Sequence, residues 1–132
     1  MRITLCGSAK FEEEYIKWNE ILTLQGHVIY SLAVLPSHKE TIVWYSVEEK
    51  EMLDLVHLVK IMESDAIVVI NCADAEWEKE AYVGESTRQQ IIWAKMHGKP
   101  CFYTRAIRGD VRQMFNKLEA YAWRGIMSDE NI

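Results

Sequence analysis

Along the chain, short apolar runs alternate with longer stretches in which apolar residues recur every three or four positions. Ile3 to Cys6 is rich in strand formers and is closed by Gly7-Ser8, after which the period changes from two to 3.6. Phe11, Tyr15, Trp18 and Leu22 then fall on one face of a helix whose other side carries Glu12, Glu13, Lys17 and Glu20. Gly26 closes that helix as a C-terminal glycine. His27 to Leu32 predicts a second strand, and Leu35 to Tyr45, with Pro36, predicts a long loop of the kind that serves a site. Ser46 with Glu49 forms a capping-box pattern before a helix running to about Glu63, with Leu53, Val56 and Lys60 marking its stripe.

Ala66 to Ile70 is almost wholly β-branched, as in a strand buried on both faces. The acidic segment CADAEWEKEAY lies between Asn71 and Val83, and GESTRQQIIWA then opens a helix ending near Gly98. Pro100 to Thr104 predicts a fourth strand, and a final amphipathic helix over about 107–126 carries Val111, Met114, Phe115, Leu118 and Ala122. Strands alternating with helices predict an α/β fold with a central parallel sheet and helices on both faces, joined by right-handed crossovers. Ligands in such sheets bind at the carboxyl ends of the strands. The loops expected to meet there are Gly7 to Lys10, Asn71 to Gly84, and the one after the second strand.

Length and charge narrow the partners. At 132 residues and 49% hydrophobic letters, the chain suits one domain spanning 1–132. Lys and Arg number 15 against 20 Asp and Glu, so no basic field exists to hold long DNA or RNA. A small nucleotide remains compatible, because a few local donors hold one phosphate whatever the net charge. Cys6, Cys72 and Cys101 form neither a disulfide framework nor a zinc pattern, and they suit a reducing cytoplasm. The amino terminus is unlike a signal peptide, no run approaches a membrane span, and no residue pattern calls for a metal or cofactor.

Two segments carry candidate chemistry. In CGSAK a glycine and a serine precede a helix amino terminus, which suits a phosphate, with Lys10 adding charge. The same residues also read as a tight turn with Ser8 as a cap and Lys10 as a solvated lysine. In GESTRQQI, Ser86 or Thr87 can cap the helix while Gln89 or Gln90 bonds back, which is a complete structural account of the segment. Helical spacing nevertheless gathers Ser86, Thr87 and Gln90 on one face, with Glu85 about 140° from Gln90. His57 reads as a packed helix residue, Asn71 as a ligand contact or a loop cap, and Trp77 and Tyr82 as base-stacking or packing aromatics.

The segments CGSAKF, LTLQGHV, SDAIVVIN, AYVGESTRQQIIWA and GKP, in that order over roughly 1–103, make the chain resemble small members of the nucleoside 2-deoxyribosyltransferase-like superfamily. The resemblance implies a flavodoxin- or Rossmann-like three-layer sandwich, often a homodimer, that handles nucleosides or nucleotides. It also implies cleavage of an N-glycosidic bond by a nucleophilic glutamate, with the deoxyribose passing to another base or to water. Cys6, Gly7 and Ser8 match the phosphate-gripping C-G-S-x-R loop, with Lys10 where arginine is usual. Gly84, Ser86 and Thr87 match the G-E-S-T-R segment.

The departures decide the expected activity. The glutamate of the G-E-S-T-R-x-E-I pattern falls at Gln90, the usual upstream aspartate aligns roughly with His57, and the acidic insertion is extra. Three readings follow. In one, Glu85 or an acid of the insertion such as Glu80 has taken over catalysis. In another, the chain binds or senses a nucleotide without turning it over. In the third, the GEST segment is only a capped helix and the protein is an interaction module. Trp93, Met96, Phe115 and Trp123 provide the bulky apolar surface expected of a homodimer.

Overall fold

A computed structural model describes residues 1–33, 45–71 and 83–104 of the chain. Four strands, β1 (Arg2–Gly7), β2 (Val28–Tyr30), β3 (Ala66–Ile70) and β4 (Cys101–Tyr103), form one parallel sheet in the order β2-β1-β3-β4. Three helices connect them: α1 (Glu12–Leu24), α2 (Val47–Glu63) and α3 (Glu85–Met96). This is the parallel α/β sheet expected from the alternation of periods, in the flavodoxin-like form that the resemblance implies. The acidic segment 72–82, most of the predicted loop over 35–45 and the predicted final helix lie outside the described residues.

The layers follow from the alternation of side chains along the strands. Ile3, Leu5, Val68, Ile70 and Phe102 face α1, where Tyr15, Trp18 and Leu22 complete one core. Cys6, Ile67 and Val69 point the other way and meet Ile61 of α2 with Ile91 and Ala94 of α3. Every side chain of β3 is buried, because this central strand is covered on both faces. Right-handed crossovers account for the division. The connection from β1 to β2 runs one way across the sheet and the other two run back, so among the described residues α1 lies alone on its face.

Each helix starts where local chemistry favours it. Ser46 and Glu49 close a reciprocal capping box at α2, with Ser46 Oγ accepting from Glu49 N at 3.1 Å and Glu49 Oε1 accepting from Ser46 N at 3.0 Å. A 3-10 turn, Ala9–Phe11, precedes α1, and Gly26 at φ +93° turns the chain into β2. The expected stripe of α2 needs correction. His57 and Ile61 are its buried residues, with Lys60 Nζ reaching Ser31 O at 2.9 Å, whereas Val56 is 40% exposed. Helical spacing puts Val56 on the far side of Lys60 from Ile61, and only the sheet's position reveals which apolar set faces inward.

One contact fixes the junction after β1. Gly7 pairs with Ile70 in register and sits at φ +152°, where an added Cβ would lie 2.7 Å from Ile70 O and 3.2 Å from Tyr15 Oη. Tyr15 Oη in turn donates to Gly7 O at 2.8 Å. Gly7→Ala is therefore expected to destabilise the protein by about 2 kcal/mol or more, through strain and a clash that β3 cannot relieve. Tyr15→Phe, which only strips a donor from a part-buried carbonyl, is expected to cost about 1–2 kcal/mol. Urea denaturation of both variants beside the natural protein checks the size and the order.

Candidate functional site

The carboxyl edge of the sheet gathers the predicted loops. Gly7 and Ile70 are register partners, so Ser8 and Asn71 leave the sheet side by side. Helices connecting parallel strands run back along the sheet, so α1 and α3 both present their amino termini at this edge. The first turn of α3 opens at Gly84, whose carbonyl accepts from Arg88 N at 2.9 Å and which, as a glycine, offers no side chain to cap it.

That geometry corrects the capping boxes expected around Ser86 and Thr87. The helix begins at Glu85, so both hydroxyl residues already have helical backbone and neither is the cap. Gln89 does not bond back to a cap. Its Nε2 donates to Glu85 Oε1 at 3.2 Å, an i,i+4 pair along the outer surface of the helix. Glu85 is exposed, and its helical position is about 140° from Gln90. Thr87 is buried, Ser86 is exposed and Gln90 lies between these extremes. Within the half-buried Gln90 side chain, Oε1 is buried without a hydrogen-bond partner among the described residues. A buried acceptor without a donor costs on the order of 1–3 kcal/mol, and a donor supplied to it would recover part of that.

The loop after β1 has the structural role that its residues allow. Ser8 caps the 3-10 turn, accepting from Lys10 N at 3.4 Å through its hydroxyl and from Phe11 N at 3.1 Å through its carbonyl. Lys10 is exposed, with Nζ 5.2 Å from the centre of the Phe11 ring. Cys6 is sealed in the core, where burial pushes its thiol far above the usual range, so only its backbone is available at the edge. Asn71 is fully buried: its N–H donates to Thr104 Oγ1 at 3.3 Å, and that hydroxyl donates to Asn71 Oδ1 at 3.2 Å. The pair ties the ends of β3 and β4 together beside the loop.

By fold, the chain is similar to a solved 2-deoxyribosyltransferase from the psychrotolerant bacterium Bacillus psychrosaccharolyticus. The superposition has a TM-score of 0.60, covers 92% of each chain and carries 16% sequence identity. No family model matches the chain, and no curated protein matches it. The deoxyribosyltransferase-like fold expected from the motifs is thus found at the level of architecture.

Two residues of this edge escaped the sequence reading. Tyr15 read only as a core position, yet a buried phenol needs a partner for its hydroxyl, and that requirement is the available signal. Thr104 read only as the end of a strand. Among the described residues no group of His, Cys, Asp or Glu is arranged to hold a metal, and no helix is long and apolar enough to cross a membrane. Trp77, Glu80 and Tyr82 lie outside the described residues, as do Phe115 and Trp123. Trp93 is half-buried, with its ring 4.4 Å from that of His97, while Met96 is exposed.

His57 is placed inside the protein. It is 6% exposed, and its pKa is lowered from 6.5 to about 4 by burial and by the charge of Lys60, against a hydrogen bond with the Leu5 backbone and the charge of Asp54. It is therefore neutral at pH 7. The unfolded chain takes up this proton below pH 6.5 and the folded chain only near 4, so the group's contribution to stability is complete above 6.5 and is lost as pH falls to 4. The loss amounts to roughly 3 kcal/mol. Thermal melts from pH 7 to 4 are expected to show a falling Tm, with a visibly shallower fall in His57→Leu. His27, whose pKa is also lowered by burial, maintains the remaining slope.

Proposed function

We propose that the protein binds a 2'-deoxynucleoside or its 5'-nucleotide at the carboxyl edge of the sheet without turning it over efficiently. The observation that carries this reading is Gln90, with a buried amide oxygen that lacks a donor among the described residues. It stands where the resemblance expects a nucleophilic glutamate. A sugar hydroxyl is a donor of the required kind, while a neutral amide supplies neither a useful nucleophile nor a charge for an oxocarbenium ion.

Further support comes from the neighbourhood. The fold likeness to a 2-deoxyribosyltransferase raises the weight of a nucleoside ligand. The amino terminus of α3, where the cap position is Gly84, and the Gly7-Ser8 turn suit an anion such as a 5'-phosphate. Lys10 supplies a nearby charge, and Ser86 and Thr87 supply hydroxyls. Glu85, the described acid nearest Gln90 in sequence within α3, is exposed and hydrogen-bonded to Gln89 on another side of the helix, which weighs against its having taken over as nucleophile. An interaction module would not need the buried acceptor.

Titration calorimetry with deoxynucleoside monophosphates is expected to show binding at millimolar concentration or below, and Ser8→Asp is expected to abolish it by placing like charge at the anion position. Absence of binding to the natural protein overturns the reading. Chromatography of released base is expected to show little or none from the natural protein and measurable release from Gln90→Glu, since a nucleophile is worth roughly 4 kcal/mol or more of transition-state stabilisation. The variant is expected to lose some stability, because a carboxylate replaces a neutral amide whose oxygen is buried. Robust turnover by the natural protein that persists in Gln90→Ala would transfer catalysis to another acid, with Glu85 the next to replace.

A further inference from the structure

The two flanks of α3 beside its buried face are unlike. Thr87, Ile91 and Ala94 form that buried face. On one side of it Arg88 and Lys95 are exposed, and on the other Gln90 and Trp93 are half-buried. With right-handed crossovers and α3 running back from the carboxyl edge, the flank of Gln90 and Trp93 is the one turned toward α2. Leu58 of α2 and Trp93 accordingly pack against the same core. The flank is exposed at Ser86, nearest the edge, and closes over Gln90 and Trp93. Two buried atoms on it have no hydrogen-bond partner among the described residues: Gln90 Oε1, which can only accept, and Trp93 Nε1, which can only donate. They belong to neighbouring turns of one helix and are complementary in kind, yet they do not bond to each other. The indole is held in place, since the His97 ring lies 4.4 Å from it and His97 Nδ1 donates to Trp93 O at 2.8 Å.

We infer that Trp93 is a ligand-binding residue, whose indole N–H donates to a ligand hydroxyl that in turn donates to Gln90 Oε1. The inference rests on the nucleotide reading above and names the group of the nucleotide that fills this slot. A phosphate or carbonyl oxygen only accepts, and would set a second acceptor against Gln90 Oε1. An N–H only donates, and would leave the indole unpaired. A hydroxyl does both. In a 2'-deoxynucleoside 5'-monophosphate the sugar carries one free hydroxyl, on C3', so that is the group the slot selects. The placement agrees: Gln90 lies five residues beyond Glu85, about 7.5 Å along the helix axis, so a phosphate at the first turn of α3 sets the sugar beside the amide. Removing the hydroxyl leaves two buried groups unpaired, which makes the slot selective as well as binding.

Titration calorimetry of the full chain with a deoxynucleoside monophosphate and with its 2',3'-dideoxy analogue, which lacks only that hydroxyl, tests the assignment. The natural protein is expected to bind the deoxynucleotide about tenfold more tightly, the scale of one lost hydrogen bond. Trp93→Phe, which keeps an aromatic ring and removes the N–H, is expected to lose most of that preference while its circular dichroism spectrum is unchanged. Nitrogen-15 correlation spectra of the natural protein contain five indole N–H signals, one for each tryptophan. The signal absent from Trp93→Phe is expected to move on adding the deoxynucleotide and to stay in place with the dideoxy analogue. Equal affinity of the natural protein for the two nucleotides overturns the inference, because the slot then holds water only. A folded Trp93→Phe protein that keeps the full preference also overturns it. Should Trp93→Phe not fold, the natural protein decides alone: the preference together with movement of one indole signal supports the inference, and a deoxynucleotide that moves none of the five overturns it. Absence of any nucleotide binding removes the nucleotide reading and this inference together, whereas binding without the preference removes only this one.

Discussion

The contact between Gly7 and Ile70 is the constraint on which the rest of the structure depends. Two central strands approach until Ile70 O leaves no room for a Cβ at position 7, and Tyr15 of the following helix donates to the carbonyl of Gly7. This single junction fixes the register of β1 against β3, the point at which the chain leaves the sheet, and the start of α1. Because α3 returns to the same edge from β3, its first turn is set beside the turn after β1.

Around that junction, polar groups are either fully engaged or conspicuously incomplete. Asn71 and Thr104 bond to one another, and Ser8 closes its own turn. Gln90 is the exception that bears on function, since its neighbours in the helix are either packed or solvated. His57 is another buried polar side chain with an unpartnered ring nitrogen, and burial keeps it neutral at physiological pH. The neutral groups and helix termini of this edge are the local donors on which the proposed nucleotide binding rests, since the chain as a whole carries a net charge of -5.

The helices show how the same sequence pattern can serve two surfaces. Read as a single stripe, the apolar residues of α2 are ambiguous, because two apolar faces overlap in sequence. Once Ile61 and His57 are known to face the sheet, the remaining apolar side chains form a second, outward face with its own regular spacing.

Elements whose signals are local were determined by the sequence itself. The capping box at Ser46 and Glu49, the glycine after α1, the β-branched run of β3 and the alternation of strands with helices each depend on groups a few residues apart, and all are found where the pattern puts them. Tertiary structure decided what depends on groups distant in sequence. It selected His57 and not Val56 for the inner face of α2, started α3 at Glu85 so that Ser86 and Thr87 could not cap it, and engaged Asn71 with Thr104. It also left an oxygen of Gln90 buried without a donor among the described residues. The physical reason is that burial is a property of where two elements meet, and a sequence specifies a helix's periodicity well before it specifies which side of that helix the sheet will cover.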